Sequence, residues 1–195
     1  MPERRPRKDA ARNRAAVLAA ADELFARCES PEDITMADVA AAAGVGKATL
    51  FRAFGDRTGL IHALYEARLA PLRAATEQGE PPLSPAGPPL ERVPALLDAV
   101  LCFKFDNRHL ALALEGTGSG SPYQGAHYES FHRTLTGLLG QIPGFGGADT
   151  DFIAHALLAA TRADLVEHLV RHEGADREQA RARLADFVAR VLGQG

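Results

Sequence analysis

Apolar positions recur at helical spacing along most of the chain. Val17, Ala21, Leu24, Phe25 and Cys28 follow one another at steps of four, three, one and three, so residues 9–28 form an amphipathic first helix with one apolar stripe. Ser30-Pro31 ends it, because the residue before proline is pushed out of the helical region. Thr35 followed by Asp38 is a form of the capping box, which starts a second helix near Met36. Its inward positions are Met36, Val39, Ala40 and Ala43, mostly small enough for another helix to come close, and Gly44 supplies the left-handed stop. After Val45-Gly46 the spacing resumes with Leu50 and Phe54, four apart, and stops at Gly55. Asp56 is a good N-cap for a fourth helix whose apolar face is Leu60, Ile61, Leu64, Tyr65 and Leu69.

Residues 79–89, GEPPLSPAGPP, crowd prolines and glycines into a stretch that reads as a stiff, solvated connection between two functional halves. Helical spacing returns over residues 90–106, 108–115, 124–141, 149–172 and 176–192, with GTGSGSP and IPGFGGAD marking loops. Strict apolar/polar alternation is absent, β-branched residues are sparse, and Ala and Leu abound. The pattern therefore predicts an all-α chain of about nine helices. The helix over 149–172 is apolar on more than one face, through Phe152, Ile153, Leu157, Leu165, Val166 and Leu169, and the last helix adds a single stripe of Leu184, Phe187 and Val191. Together the pair fits either a thick core or a core plus a surface offered to a second copy in a four-helix contact.

Composition narrows the class. At 195 residues and 46% apolar content the chain can build a substantial core. No apolar run reaches the roughly 18 to 20 residues of a membrane span, and no apolar segment follows the basic N-terminus as in a signal peptide, so the expected location is the cytoplasm. Cys28 and Cys102 each lie within a helical apolar pattern and read as ordinary buried thiols. The net charge of -3 hides an asymmetry: residues 1–14 hold six basic against two acidic side chains, whereas residues 69–195 hold 11 against 15. One end of the chain thus suits a polyanion, unless the basic segment is only a solubilising tail.

The segment from Thr35 to Ile61 has the form of a helix-turn-helix, two short helices about a glycine turn. At about 100° per residue, Leu50 and Phe54 lie together on the core side, whereas Ala48, Phe51 and Arg52 occupy a separate arc. Lys47 stands at the helix start, where an ammonium and the unpaired backbone N–H groups both favour phosphate. Arg52 could read a guanine edge or clamp a phosphate, and Arg57, at the start of the next helix, would reach the backbone beside the groove.

Residues 34–64 strongly resemble the N-terminal DNA-binding motif of the TetR family of bacterial transcriptional regulators. Val39-Ala40, Ala43-Gly44-Val45, Lys47, Thr49-Leu50, Phe54 and Leu60 stand in the family's register. The resemblance implies a DNA-binding domain over residues 1–57 with a basic N-terminal arm, and a helical ligand-binding and dimerisation domain over 58–195. It also implies a homodimer through the last two helices, a double-stranded DNA operator and an unidentified small-molecule effector. Carried over by position, the DNA-facing residues are Thr35, Met36, Ala37, Lys47, Ala48, Thr49, Phe51, Arg52 and Arg57, with Ala53 where histidine is frequent. Gly46 stands in place of a common serine, Phe51 in place of tyrosine and Arg57 in place of lysine. The function implied is a ligand-responsive repressor; the alternative is a helical binding module that has lost DNA binding.

Other constellations carry less. His168 and His172 are four apart and flanked by Glu167 and Glu173, but no third ligand is identifiable, so no metal is assigned. His127, Tyr128, His132 and Tyr123, with Phe103, Phe105, Phe131 and His109, are candidates to line an effector cavity or to pack as interior. No nucleophile, base and orienting acid occur together, so no enzyme activity and no cofactor are expected.

Overall fold

The computed structural model describes residues 4–28, 30–116, 123, 125–146 and 148–193. Among these residues every regular element is helical. The helices are α1 (Arg4–Arg27), α2 (Met36–Ala42), α3 (Lys47–Phe54), α4 (Arg57–Gln78), α5 (Pro89–Asp106), α6 (Arg108–Gly116), α7 (Ala126–Leu139), α8 (Ala148–Ala159), α9 (Ala163–Arg171) and α10 (Arg177–Val191). None is long and apolar enough to cross a membrane.

Two boundaries differ from the sequence reading. The first helix begins at Arg4 rather than Asp9, so the basic segment is the first turns of α1 and not an arm in front of it. Pro6 is compatible with this, because the first turn has no use for the missing N–H. The single helix expected over residues 149–172 is two. Thr161, wholly buried, turns its hydroxyl back onto the Leu158 carbonyl at 2.9 Å, and Arg162 takes an extended conformation as the N-cap of α9. The described residues therefore hold ten α-helices where about nine were expected.

Contacts divide the chain into two compact units, Met1–Arg68 with His109–Leu114, and Leu69–Arg108 with Glu115–Gly195. The division falls inside α4. In the first unit α1, α2 and α3 pack pairwise. Its interior is Val17, Ala21 and Phe25 from α1, Val39 and Ala40 from α2, Leu50 and Phe54 from α3, and Leu60, Ile61, Leu64 and Tyr65 from α4. Arg68 of α4 is fastened to Asp22 of α1 through both the carboxylate and the main-chain carbonyl. Cys28 and Cys102 are free thiols and half-buried, more open than expected. Burial raises the Cys28 thiol pKa, and its sulfur sits 3.6 Å from His109 Nδ1.

In the second unit α5 is the central helix, packed on α7, α9 and α10, and α8 lies on α7. Leu97 and Leu101 of α5, Leu135 and Leu139 of α7, Leu157 of α8 and Val166 of α9 are almost completely buried. Lys104, only 9% exposed, is neutralised by Glu115 at 2.6 Å. The other oxygen of Glu115 accepts the Ala163 N–H that opens α9. The 79–89 segment is a chain of turns whose Ser84 is buried, so it is packed rather than fully solvated.

Candidate nucleic-acid interface

The two short helices of the first unit are held by devices local in sequence. Thr35 and Asp38 form a complete capping box: the Asp38 N–H donates to the Thr35 hydroxyl at 3.2 Å, and the Thr35 N–H donates to the Asp38 carboxylate at 3.0 Å. The Thr35 hydroxyl, which also donates to that carboxylate, holds the Asp38 pKa below its ordinary value. At the other end Val45 N–H reaches the Ala40 carbonyl and Gly44 N–H the Ala41 carbonyl, the paired closure of a Schellman motif. Gly44 has φ 64°, which an alanine would adopt only at a cost.

Helix α3 follows Gly44 after Val45 and Gly46. Leu50 is completely buried, a placement worth about 1.5–3 kcal/mol relative to exposure, and Phe54 is nearly so. On the far side Lys47, Ala48, Arg52 and Ala53 are exposed, and Phe51, at 47%, is among the exposed large apolar side chains. Thr49 is half-buried between the faces. Gly46 is the N-cap and offers no side-chain hydrogen bond to the first turn. The start of α3 thus combines a nearby lysine with uncapped N–H groups, a setting that suits an anion.

Two arginines position this helix. Arg14 of α1 donates from Nη1 to the Ala53 carbonyl at 3.1 Å and lies 4.5 Å over the Phe54 ring, closing the C-terminal end of α3. Arg57 donates from Nε to the Ile34 carbonyl at 3.1 Å, tying the start of α4 to the residue before the α2 cap. Arg57, expected to reach the DNA backbone, thus has a structural partner within the unit.

Gly59 has a role that sequence reasoning missed. Its N–H is capped by Asp56 at 2.8 Å, and a Cβ there would stand 2.0 Å from the Phe54 carbonyl oxygen. Only glycine lets α4 start so close behind α3. The signal available was an isolated glycine in the first turn of an otherwise apolar helix.

Of the predicted positions, Thr35, Lys47, Ala48, Phe51 and Arg52 are exposed, while Met36, Ala37, Thr49 and Arg57 are half-buried. All nine lie in the first unit.

The expected effector cavity is not brought together as a whole. Phe103 and Phe131 are interior packing, and His109 lies in the first unit beside Cys28. Tyr123, Tyr128 and His132 instead line a cleft of about 600 Å3 in the second unit, with Thr136, Asp151 and His155. Burial pushes the Tyr128 hydroxyl pKa up to about 12.

Comparison with known proteins bears on this arrangement. Residues 17–64 match the family described as bacterial regulatory proteins, tetR family. No curated protein matches the chain. Among solved structures, a Rhodococcus sp. protein named as a TetR-family transcriptional regulator superposes with a TM-score of 0.68 at 20% identity, covering 93% of this chain and 99% of that one. A TetR-like transcriptional regulator from Rhodococcus sp. RHA1 gives a TM-score of 0.61 at 21% identity, over 94% and 97%. NalD, the secondary repressor of the MexAB-OprM multidrug efflux pump in Pseudomonas aeruginosa, gives 0.57 at 18% identity, over 91% and 95%. At these identities the structural likeness speaks for the fold, and the motif speaks for the family. Residues 17–64, on α1–α4, thus carry the N-terminal motif of bacterial regulatory proteins, tetR family, and the chain has the fold of TetR-family regulators along nearly its whole length.

Proposed function

We propose that the protein is a cytoplasmic, ligand-responsive transcriptional repressor that binds a palindromic operator as a homodimer. The observation that carries this reading is the division of α3 into a buried face, Leu50 and Phe54, and an exposed face bearing Lys47, Ala48, Phe51 and Arg52. A helix of this length, backed by two others and studded with cations outward, suits the major groove. Lys47 supplies a phosphate contact at the helix start, Arg52 a base edge or phosphate, and Phe51 an apolar surface for a thymine methyl.

The dimer would form through the last helices. Phe152 of α8 is 73% exposed, and Leu165 of α9 and Phe187 of α10 are also exposed, a distribution expected of surfaces that a second copy covers. An effector bound in the second unit would favour a dimer whose two recognition helices no longer match successive major grooves, about 34 Å apart. Helix α4 runs through the division between the units and is the segment through which such a shift would pass.

Selection of bound sequences from random duplex DNA tests the reading. Enrichment of an inverted repeat with half-sites about one helical turn apart is the expected result. Failure to enrich any sequence at low salt would leave a helical binding module without DNA recognition.

A further inference from the structure

The second unit carries a cluster that the regulator reading does not use. Asp151 in the first turn of α8 and His155 one turn later share a helical face, and α7 brings His132 against them. His132 Nε2 lies 3.4 Å from one Asp151 carboxylate oxygen and His155 Nε2 lies 3.7 Å from the other. One donor atom from each of the three residues falls within 4.8 Å of the others. The two imidazoles lie side by side, with centroids 3.9 Å apart and planes 25° from parallel. His132 Nε2 is also 3.3 Å from the Asp151 main-chain carbonyl.

These separations are long for hydrogen bonds, which cluster near 2.7–3.2 Å. Around a tetrahedral ion with metal–nitrogen distances of about 2.0–2.1 Å, neighbouring donors stand about 3.4 Å apart, so side-chain rotation of about an ångström would draw the three donors, already within 4.8 Å of one another, onto one ion. His155 is held as a ligand would be, because its Nδ1 lies 2.6 Å from the Tyr128 hydroxyl. With the Nδ1 proton donated to that oxygen, the Nε2 lone pair points at the cluster, the outer-sphere arrangement that fixes metal-bound histidines. Two imidazoles and one carboxylate suit zinc, nickel or cobalt rather than magnesium or calcium, which take mostly oxygen.

We propose that His132, Asp151 and His155 form a three-ligand site for a zinc-class divalent ion, through both Nε2 atoms and the Asp151 carboxylate, with a fourth position open to the cleft. The site would join α7 to α8 and leave room for water or a donor atom of a ligand in the cleft. It stands whether or not α3 binds DNA.

Untagged, chelator-treated protein titrated with cobalt(II) and zinc(II) decides the matter. One ion per chain, visible absorption of four-coordinate cobalt and a raised melting temperature with zinc but not magnesium are expected. His132→Ala and His155→Ala should each weaken zinc binding by at least about 100-fold, and Tyr128→Phe by about tenfold. Asp151 is largely exposed, so Asp151→Asn keeps the test open if a histidine variant misfolds; it should weaken binding by tenfold or more. His168→Ala should change nothing, since Glu173 beside it is paired with Arg183. Absence of binding, binding that survives Asp151→Asn and the histidine variants, or loss of binding with His168→Ala would overturn the proposal.

Discussion

The two units share local caps, the Thr35–Asp38 box of α2 and the Asp176–Gln179 box of α10, but differ in how far some helix ends reach for a partner. In the first, α2 starts on Thr35 and Asp38, stops on Gly44, α3 stops on Gly55, and α4 starts on Asp56, each partner within a few residues of the next. In the second, α9 starts on the carboxylate of Glu115, 48 residues away, which also neutralises Lys104. Local closure fixes where α2 and α3 begin and end, while their stability comes from packing Val39, Ala40, Leu50 and Phe54 into the first unit. Closure at a distance ties together helices that are remote in sequence and makes their ends depend on one buried charge.

The sharpest way to break this contrast is Glu115→Ala. It would leave the Lys104 ammonium buried without its partner and the α9 N-terminus without its acceptor, and should cost about 3–5 kcal/mol. Replacing the pair together, Lys104→Met with Glu115→Leu, should recover most of that loss, because two apolar groups leave no charge to neutralise. Chemical denaturation of the three proteins checks it. Gly59→Ala is the counterpart in the first unit: its Cβ would meet the Phe54 carbonyl oxygen at 2.0 Å, so α3 or α4 must move, at about 3 kcal/mol. Hydrogen exchange should show that loss concentrated in residues 36–65.

Much of the first unit was legible because its determinants are local. The capping residues, Gly44 and the pair Leu50 and Phe54 lie within a few residues of what they control, and the structure places them as their spacing predicts. The break at Thr161 was not legible. Residues 149–172 keep apolar spacing throughout, and the acceptor that opens α9 lies on α6. Arg14 misled for the same reason, since nothing near it in sequence says that its partner is the Ala53 carbonyl. The pair His168 and His172 is local in sequence, whereas the cluster of His132, Asp151 and His155 takes His132 from a different helix.

Smaller effects separate the residues that hold α3 from those that would use it. Lys47→Ala and Arg52→Ala touch exposed side chains, so melting temperature should stay nearly constant while operator affinity falls, each lowering the salt slope by about one. Arg52→Ala should cost about 1–3 kcal/mol if the guanidinium reads a base, and change the preferred sequence as well. Arg57→Ala should lower both affinity and stability, the latter by about 1 kcal/mol, because the Ile34 carbonyl loses a charged donor. Fluorescence anisotropy over a range of salt, paired with thermal melts, distinguishes the three.

The smallest effect is a gain. Gly46 caps α3 with φ -69° and ψ 143°, a conformation any residue adopts, and a Cβ there would be 3.9 Å from the Thr49 hydroxyl oxygen, an ordinary contact. Gly46→Ser therefore fits without strain and gives the first turn of α3 a hydroxyl acceptor, worth a few tenths of a kcal/mol over glycine. The same hydroxyl would occupy an N–H that otherwise faces an incoming phosphate. Thermal stability should rise slightly while operator affinity stays level or falls if those N–H groups meet DNA; a rise in affinity would mean that helix order, not the open N-terminus, limits binding.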